Sequence, residues 1–270
     1  MTRETVKDVA RSAEGNRTFQ SLARAGVAVV GVLHLLIGLI AISVATSSGR
    51  DDEVDGSGAL RRIAETPGGV AILWVVIIGM LALGVWQVVQ LFLVPGRSRR
   101  RRWGYRVIEL GKGVVYFFIA GLAFTFARGE SVSTARLTRN FSADLIDNPG
   151  GAIVLVIIGL VTLVVGVSFV FRGASTNFVE DIRVPDGAVG QVTVALGVLG
   201  FVAKGIALAV VGVLFVIAAF TSDTRIASGL DGALTWLLTL PSGAVVPAIV
   251  GVGLIAYGVF FMVRARLVLL

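Results

Sequence analysis

The chain has no cysteine and a single histidine, His34. The first absence excludes disulfides, thiolate metal ligands and a thiol nucleophile, and it leaves the redox compartment undecided. The second argues against a metal centre built on several imidazoles, so only carboxylate-built sites stay open. Charge is scarce too: 15% of residues are Asp, Glu, Lys or Arg, against roughly 25% in soluble domains. The sequence holds no nucleotide loop or catalytic triad, and Gly111-Lys112-Gly113 lacks the G-x4-G-K-[ST] spacing of a phosphate loop. On these grounds no cofactor and no enzymatic activity are expected.

What the chain has instead is apolar length. Hydrophobic residues make up 56% of it, and the mean hydropathy is +0.89. A bilayer core takes about 20 apolar residues per helical crossing. Six stretches reach that length, at 25–45, 70–94, 107–127, 150–171, 199–220 and 243–263. Lipid offers no partners to backbone polar groups, so each stretch reads as a helix. The basic leader before the first stretch resembles a signal peptide, but the apolar run exceeds a usual signal core of about 7–15 residues. It is read as a retained span.

Lys and Arg are distributed unevenly between the two ends of these spans. The side holding both termini carries fifteen, among them Arg97, Arg99, Arg100, Arg101, Arg102 and Arg106. The opposite side carries seven, together with ten acidic residues. The positive-inside rule therefore predicts a plasma-membrane protein with cytoplasmic N- and C-termini. The net charge of +7 is read as topology, and no nucleic-acid partner is expected. The Arg97 to Arg102 cluster is instead expected to meet anionic phospholipid head groups.

The prolines and glycines repeat. Pro67, Gly69 and Gly84 recur as Pro149, Gly151 and Gly166, then as Pro241, Gly243 and Gly258, always as P-x-G-x14-G. Each proline is expected in the first turn of an even-numbered span, where a missing N–H is harmless. Gly26, Gly31 and Gly38 match Gly200, Gly205 and Gly212, while Gly113 and Gly121 put the middle copy one residue out of step. Small residues spaced this way let helices approach closely. Each copy holds two spans, so the copies are parallel repeats. The predicted fold is all-α, a six-helix bundle of three tandem hairpins with pseudo-threefold symmetry. A terminal segment at 1–24 precedes hairpins at 25–94, 107–171 and 199–263. Mitochondrial carriers share that plan, but their P-x-[DE]-x-x-[KR] signature is missing here.

Arg24-Ala25-Gly26, the helix bearing Gly31 and Gly38, Pro67-x-Gly69 and the run Leu81 to Trp86 resemble the domain of unknown function numbered 1206. That family consists of repeated two-helix membrane units and is found mainly in actinobacteria. The resemblance spans roughly 20–265 and implies membrane location and topology. It implies no activity.

Ionisable residues inside spans are functional suspects by default. Glu109 and Lys112 sit three apart, where they can pair, and Tyr116 shares their face. Lys204 occupies in the third copy the position of Lys112 in the second. Both lysines are expected one turn inside the cytoplasmic boundary, snorkelling to head groups, with residues 187–198 as a surface helix or linker. His34 lies deeper and is expected to be neutral and hydrogen-bonded to a neighbouring helix. Trp86, Gln87 and Gln90 read as interfacial anchors. The function expected first is that of a non-enzymatic scaffold or accessory protein, with a homo-oligomer or a membrane-complex partner open. The alternative is a transporter or channel for a small solute, ion or lipid that uses His34, Glu109, Lys112 and Lys204.

Overall fold

The computed structural model describes residues 17–46, 53–93, 99–182, 184–239, 241 and 243–267. Those residues form nine α-helices and two short 3-10 segments, with no strand among them. The helices are α1 (Arg17–Thr46), α2 (Gly56–Ala64), α3 (Gly69–Leu93), α4 (Arg99–Ala127), α5 (Thr134–Asp147), α6 (Gly151–Ala174), α7 (Ala188–Thr221), α8 (Leu230–Leu238) and α9 (Val245–Leu267). Six of them, α1, α3, α4, α6, α7 and α9, are long and apolar enough to cross a membrane. The other three are short, and each bridges the two spans of one repeat. A repeat is therefore span, short helix, span.

Two expectations about helix limits change. Residues 188–198 are not a separate surface element, because they continue into α7 as one helix of 34 residues. At 1.5 Å per residue α7 is about 50 Å long, well beyond a core of about 30 Å. Its overhang is packed, not free: Gly197 lies against the rings of Phe178 and Phe260. The prolines also sit earlier than expected. Pro67 and Pro149 precede α3 and α6, and Gly68 and Gly150 follow them with φ of +77° and +79°. These are left-handed turns that suit glycine. Arg97 lies outside the described residues; Arg99, Arg100, Arg101 and Arg102 form the first turn of α4.

The spans pack in the order α4, α3, α1, α9, α7, α6. The closest pairs join different repeats, the second span of one against the first span of the next, with the third repeat closing onto the first. Glycines make these seams. A methyl group added at Gly31 of α1 would stand 2.7 Å from the Gly258 carbonyl oxygen of α9, and one at Gly38 would stand 2.6 Å from that of Gly251. The seam between α6 and α7 repeats the arrangement, with Gly205 at 2.6 Å from the Gly166 carbonyl and Gly212 at 2.6 Å from that of Gly159. Between α3 and α4 the pair Gly84 and Gly113 is looser, at 3.7 Å.

The middle copy is therefore in register. Ala120, 3% exposed, takes the place of Gly38 and Gly212, while Gly121 faces open space. Ala120 stands seven residues after Gly113, as Gly38 stands after Gly31 and Gly212 after Gly205, so the glycine spacing alone looks one residue out of step.

The three short helices meet at the hairpin end. Asp55 caps α2, accepting from the N–H groups of Ser57 (2.8 Å) and Gly58 (3.0 Å). Its other carboxylate oxygen accepts from the Thr134 hydroxyl of α5, and the Thr134 N–H donates to Ser57 Oγ at 3.1 Å. Asp231 of α8 accepts from the Val54 N–H at 3.1 Å. Ser142, buried on α5, lies 3.4 Å from the Ala227 carbonyl of the third repeat. Contact among all three connectors places the three hairpin ends on one face, as parallel repeats require.

Burial pushes the Asp231 carboxyl above the ordinary range, the Val54 N–H opposes it, Asp55 and Glu53 add to the rise, and Arg139 lowers it. The unfolded chain ionises this group at a lower pH than the folded one does. The folded state is therefore penalised above the raised pKa, and it gains stability as pH falls from there toward about 3.9. In thermal unfolding in detergent, the acid-side gain should be smaller in Asp231→Asn than in the wild type. Asp231→Ala, which loses the acceptor, should cost about 1 kcal/mol at pH 7. Gly166→Val should destabilise by about 1–3 kcal/mol through overpacking. Gly121→Val should stay within about 0.5 kcal/mol of wild type.

Candidate functional site

The polar residues expected in the spans fall into two groups. Glu109 and Lys112 pair on α4 with an oxygen to nitrogen distance of 2.8 Å, and the Lys112 side chain is 46% exposed. Lys204 differs from its counterpart and from the expectation of snorkelling. Its ammonium group points across the bundle, 3.0 Å from His34 Nε2 on α1 and 3.4 Å from the Tyr257 hydroxyl on α9.

The tautomer of His34 follows from its other contact. Nδ1 lies 2.8 Å from the Val30 carbonyl oxygen, which can only accept. Nδ1 therefore carries the proton, and Nε2 presents its lone pair to the Lys204 ammonium. Both hydrogen bonds from Lys204 thus end on neutral groups. By residue rise, Lys204 lies about 25 Å below the hairpin end of α7, in the part of the span nearer the termini. Lys204 and His34 keep partial accessibility at this depth.

Aromatic rings surround the ammonium group. The Tyr257 centroid lies 4.4 Å from Lys204 Nζ and that of Phe169, on α6, lies 5.2 Å away. His34 and Tyr257 rings are 4.8 Å apart. Phe201 stacks on Phe178 at 5.1 Å and meets Tyr257 edge-on at 5.3 Å. Two more cations join. Arg172 sits over Phe201 at 5.6 Å and Arg264 over Phe261 at 5.2 Å. Each such contact contributes about 0.5–2 kcal/mol, more when water is excluded. Three cations from α6, α7 and α9 therefore converge on one aromatic column.

The sequence contained a signal for this that periodicity and hydropathy did not isolate. Phe169-x-x-Arg172, Phe201-x-x-Lys204 and Phe261-x-x-Arg264 each put a ring and a cation on one helix face. The first repeat has Gln87 and Gln90 at the corresponding places in α3. Trp86 and Gln87 are not interfacial anchors, since both are buried. Gln87 instead lies against α4, its Cβ 3.5 Å from a methyl group added at Gly113. Among the described residues no group of three His, Asp or Glu could hold a metal ion.

The chain belongs to the DUF1206 family, a Domain of Unknown Function whose model matches residues 25–91, 110–176 and 199–267. Each matched segment contains one span, short helix, span unit. The chain is also 26% identical over 247 residues to the uncharacterized protein YxxB of Bacillus subtilis (strain 168), covering 89% of this chain and 88% of that protein. No solved structure matches it.

Coupling between Lys204 and His34 is measurable. His34→Ala removes the acceptor of a partly buried ammonium group and should cost about 1–3 kcal/mol of stability. Adding Lys204→Met should restore most of that loss, because the charge that needed the acceptor is gone. Additive single and double effects in a thermal-unfolding cycle would show the two residues to be independent.

Proposed function

We propose that this DUF1206 protein acts without catalysis, as a membrane-embedded binding or transport protein for an anionic ligand, with Lys204 as the principal contact. The carrying observation is the direction of the Lys204 ammonium group. A cation within a bundle costs desolvation free energy, and neutral partners such as His34 and Tyr257 offset it less than an opposite charge would. An intramembrane cation held this way is suited to pairing with a ligand that comes and goes. Arg172 and Arg264, on repeat-equivalent positions of α6 and α9, add positive potential to the same end of the bundle.

The charge asymmetry supports placing that end in the cytoplasm of a bacterial plasma membrane. The first turn of α4, from Arg99 to Arg102, would then lie at the anionic leaflet surface. The scaffold reading keeps one supporting observation, the interlocked seams and joined connectors, which suit a rigid platform. It requires no response to anions.

The two readings separate in a thermal-shift titration of the purified protein with inorganic phosphate at constant ionic strength. A bound ligand raises the unfolding temperature through its free energy of binding. The shift should be saturable in the wild type, absent in Lys204→Met and retained in Lys112→Met. A shift that is equal in all three, or absent from all three, would refute the anion-binding reading.

A further inference from the structure

The ring of spans has one open corner. Spans within the first repeat touch, as do those within the third, but α4 and α6 of the second make no extended contact among the described residues. Substitution explains the difference. In the first repeat Gly26 lies against Gly79, and a methyl group added at Gly79 would stand 3.1 Å from the Gly26 Cα. In the third repeat Gly253 fits closely against Ala203, and Gly200 against Tyr257. The second repeat has Ile108 and Val161 at the corresponding places, 56% and 58% exposed.

The faces of α4 and α6 beside this corner carry both apolar and polar residues. On α6, Ile158, Thr162, Val165, Phe169 and Arg172 follow the alternating four- and three-residue spacing of a single helix face. On α4, Ile108, Lys112, Val115 and Ile119 do the same. Toward the hairpin end α4 is covered, with Leu122, Ala123 and Phe126 buried, so the opening belongs to the half of the bundle nearer the termini. The Lys204 cluster lies in that half. Phe169 on one wall carries the Lys204 ammonium on its ring, and the same ammonium reaches His34 and Tyr257 across the bundle.

We infer that the anionic ligand is the head group of a membrane lipid that enters sideways between α4 and α6. Its head reaches Lys204, and its acyl chains stay along the Ile108 and Val161 faces. The inference rests on the anion-binding reading and adds to it the ligand class and the route. Charge and polarity both fit: a slot that opens onto acyl chains and ends at a cation selects an amphiphile. A water-soluble anion has no use for an apolar side entrance.

The test is native mass spectrometry of protein taken from mixed micelles of phosphatidylglycerol and phosphatidylcholine, run beside the phosphate thermal shift. Wild type should retain phosphatidylglycerol over phosphatidylcholine at least about tenfold, equivalent to 1.4 kcal/mol. Lys204→Met should lose both the retention and the phosphate shift. Val161→Trp narrows the slot, and the double variant Ile108→Gly, Val161→Gly restores the glycines that close the other two corners. Both should lose lipid retention and keep the phosphate shift. Since Ile108 and Val161 face outward, neither variant disturbs a packed core, and the retained phosphate shift reports correct folding. A Lys204-dependent phosphate shift without lipid retention would leave the anion reading standing and overturn the lipid. Undiminished retention in both slot variants would overturn the route. Retention indifferent to Lys204 would overturn the head-group assignment.

Discussion

The close approach of a glycine on one span to a carbonyl on the next is the constraint that organises this bundle. Between lipid-facing helices there is no hydrophobic driving force, because acyl chains are as apolar as leucine. Association rests on packing contacts, which accumulate only when backbones come near. At Gly31, Gly38, Gly205 and Gly212 the facing carbonyl leaves no room for even a methyl group. Two of the three seams use two such points each. The third has Ala120 and Ile77 where the others have glycines, and its remaining pair stands about an ångström further apart.

That graded tightness passes into the site. The tight seams fix α1 to α9 and α6 to α7, and so they set the positions of His34, Tyr257, Phe169 and Lys204 relative to one another. The loosened region is the second repeat, whose two spans each have one close span neighbour. Firm walls hold the cations, and a permissive corner lies beside them. The hairpin end limits how far this corner can spread. Asp55, Ser57 and Thr134 tie the connector of the first repeat to that of the second, and Asp231 ties the first to the third.

Much of the architecture could be read directly. Apolar run lengths marked the six spans, and P-x-G-x14-G marked the repeat, because both are properties of one segment at a time. Which span packs on which was not readable. Gly31 and Gly258 are far apart in sequence, and nothing local says that they meet. Lys204 shows the same limit. Its repeat register with Lys112 was read correctly, but register fixes depth and not direction. Lys112 has Glu109 three residues away and turns to it. Lys204 has no such neighbour on its own helix, and its partners come from α1 and α9. The connectors were missed for a different reason: α2, α5 and α8 lie between the long apolar runs that marked the spans, and Asp55 reads as one more surface acid until Thr134 is brought beside it.

Because each repeat completes its seam with a span from another repeat, no hairpin is self-sufficient. The consequence is one of timing. The main partner of α1 is α9, the last of the six described spans in chain order. While the intervening segments are inserted, the glycine face of α1 is left to lipid or to the insertion machinery. The α3 and α4 pair can form early, and the α6 and α7 pair next. Closure of the bundle must wait for α9, when Gly251 and Gly258 arrive opposite Gly38 and Gly31. In chain order, the seam between α1 and α9 is thus the last of the three to become complete.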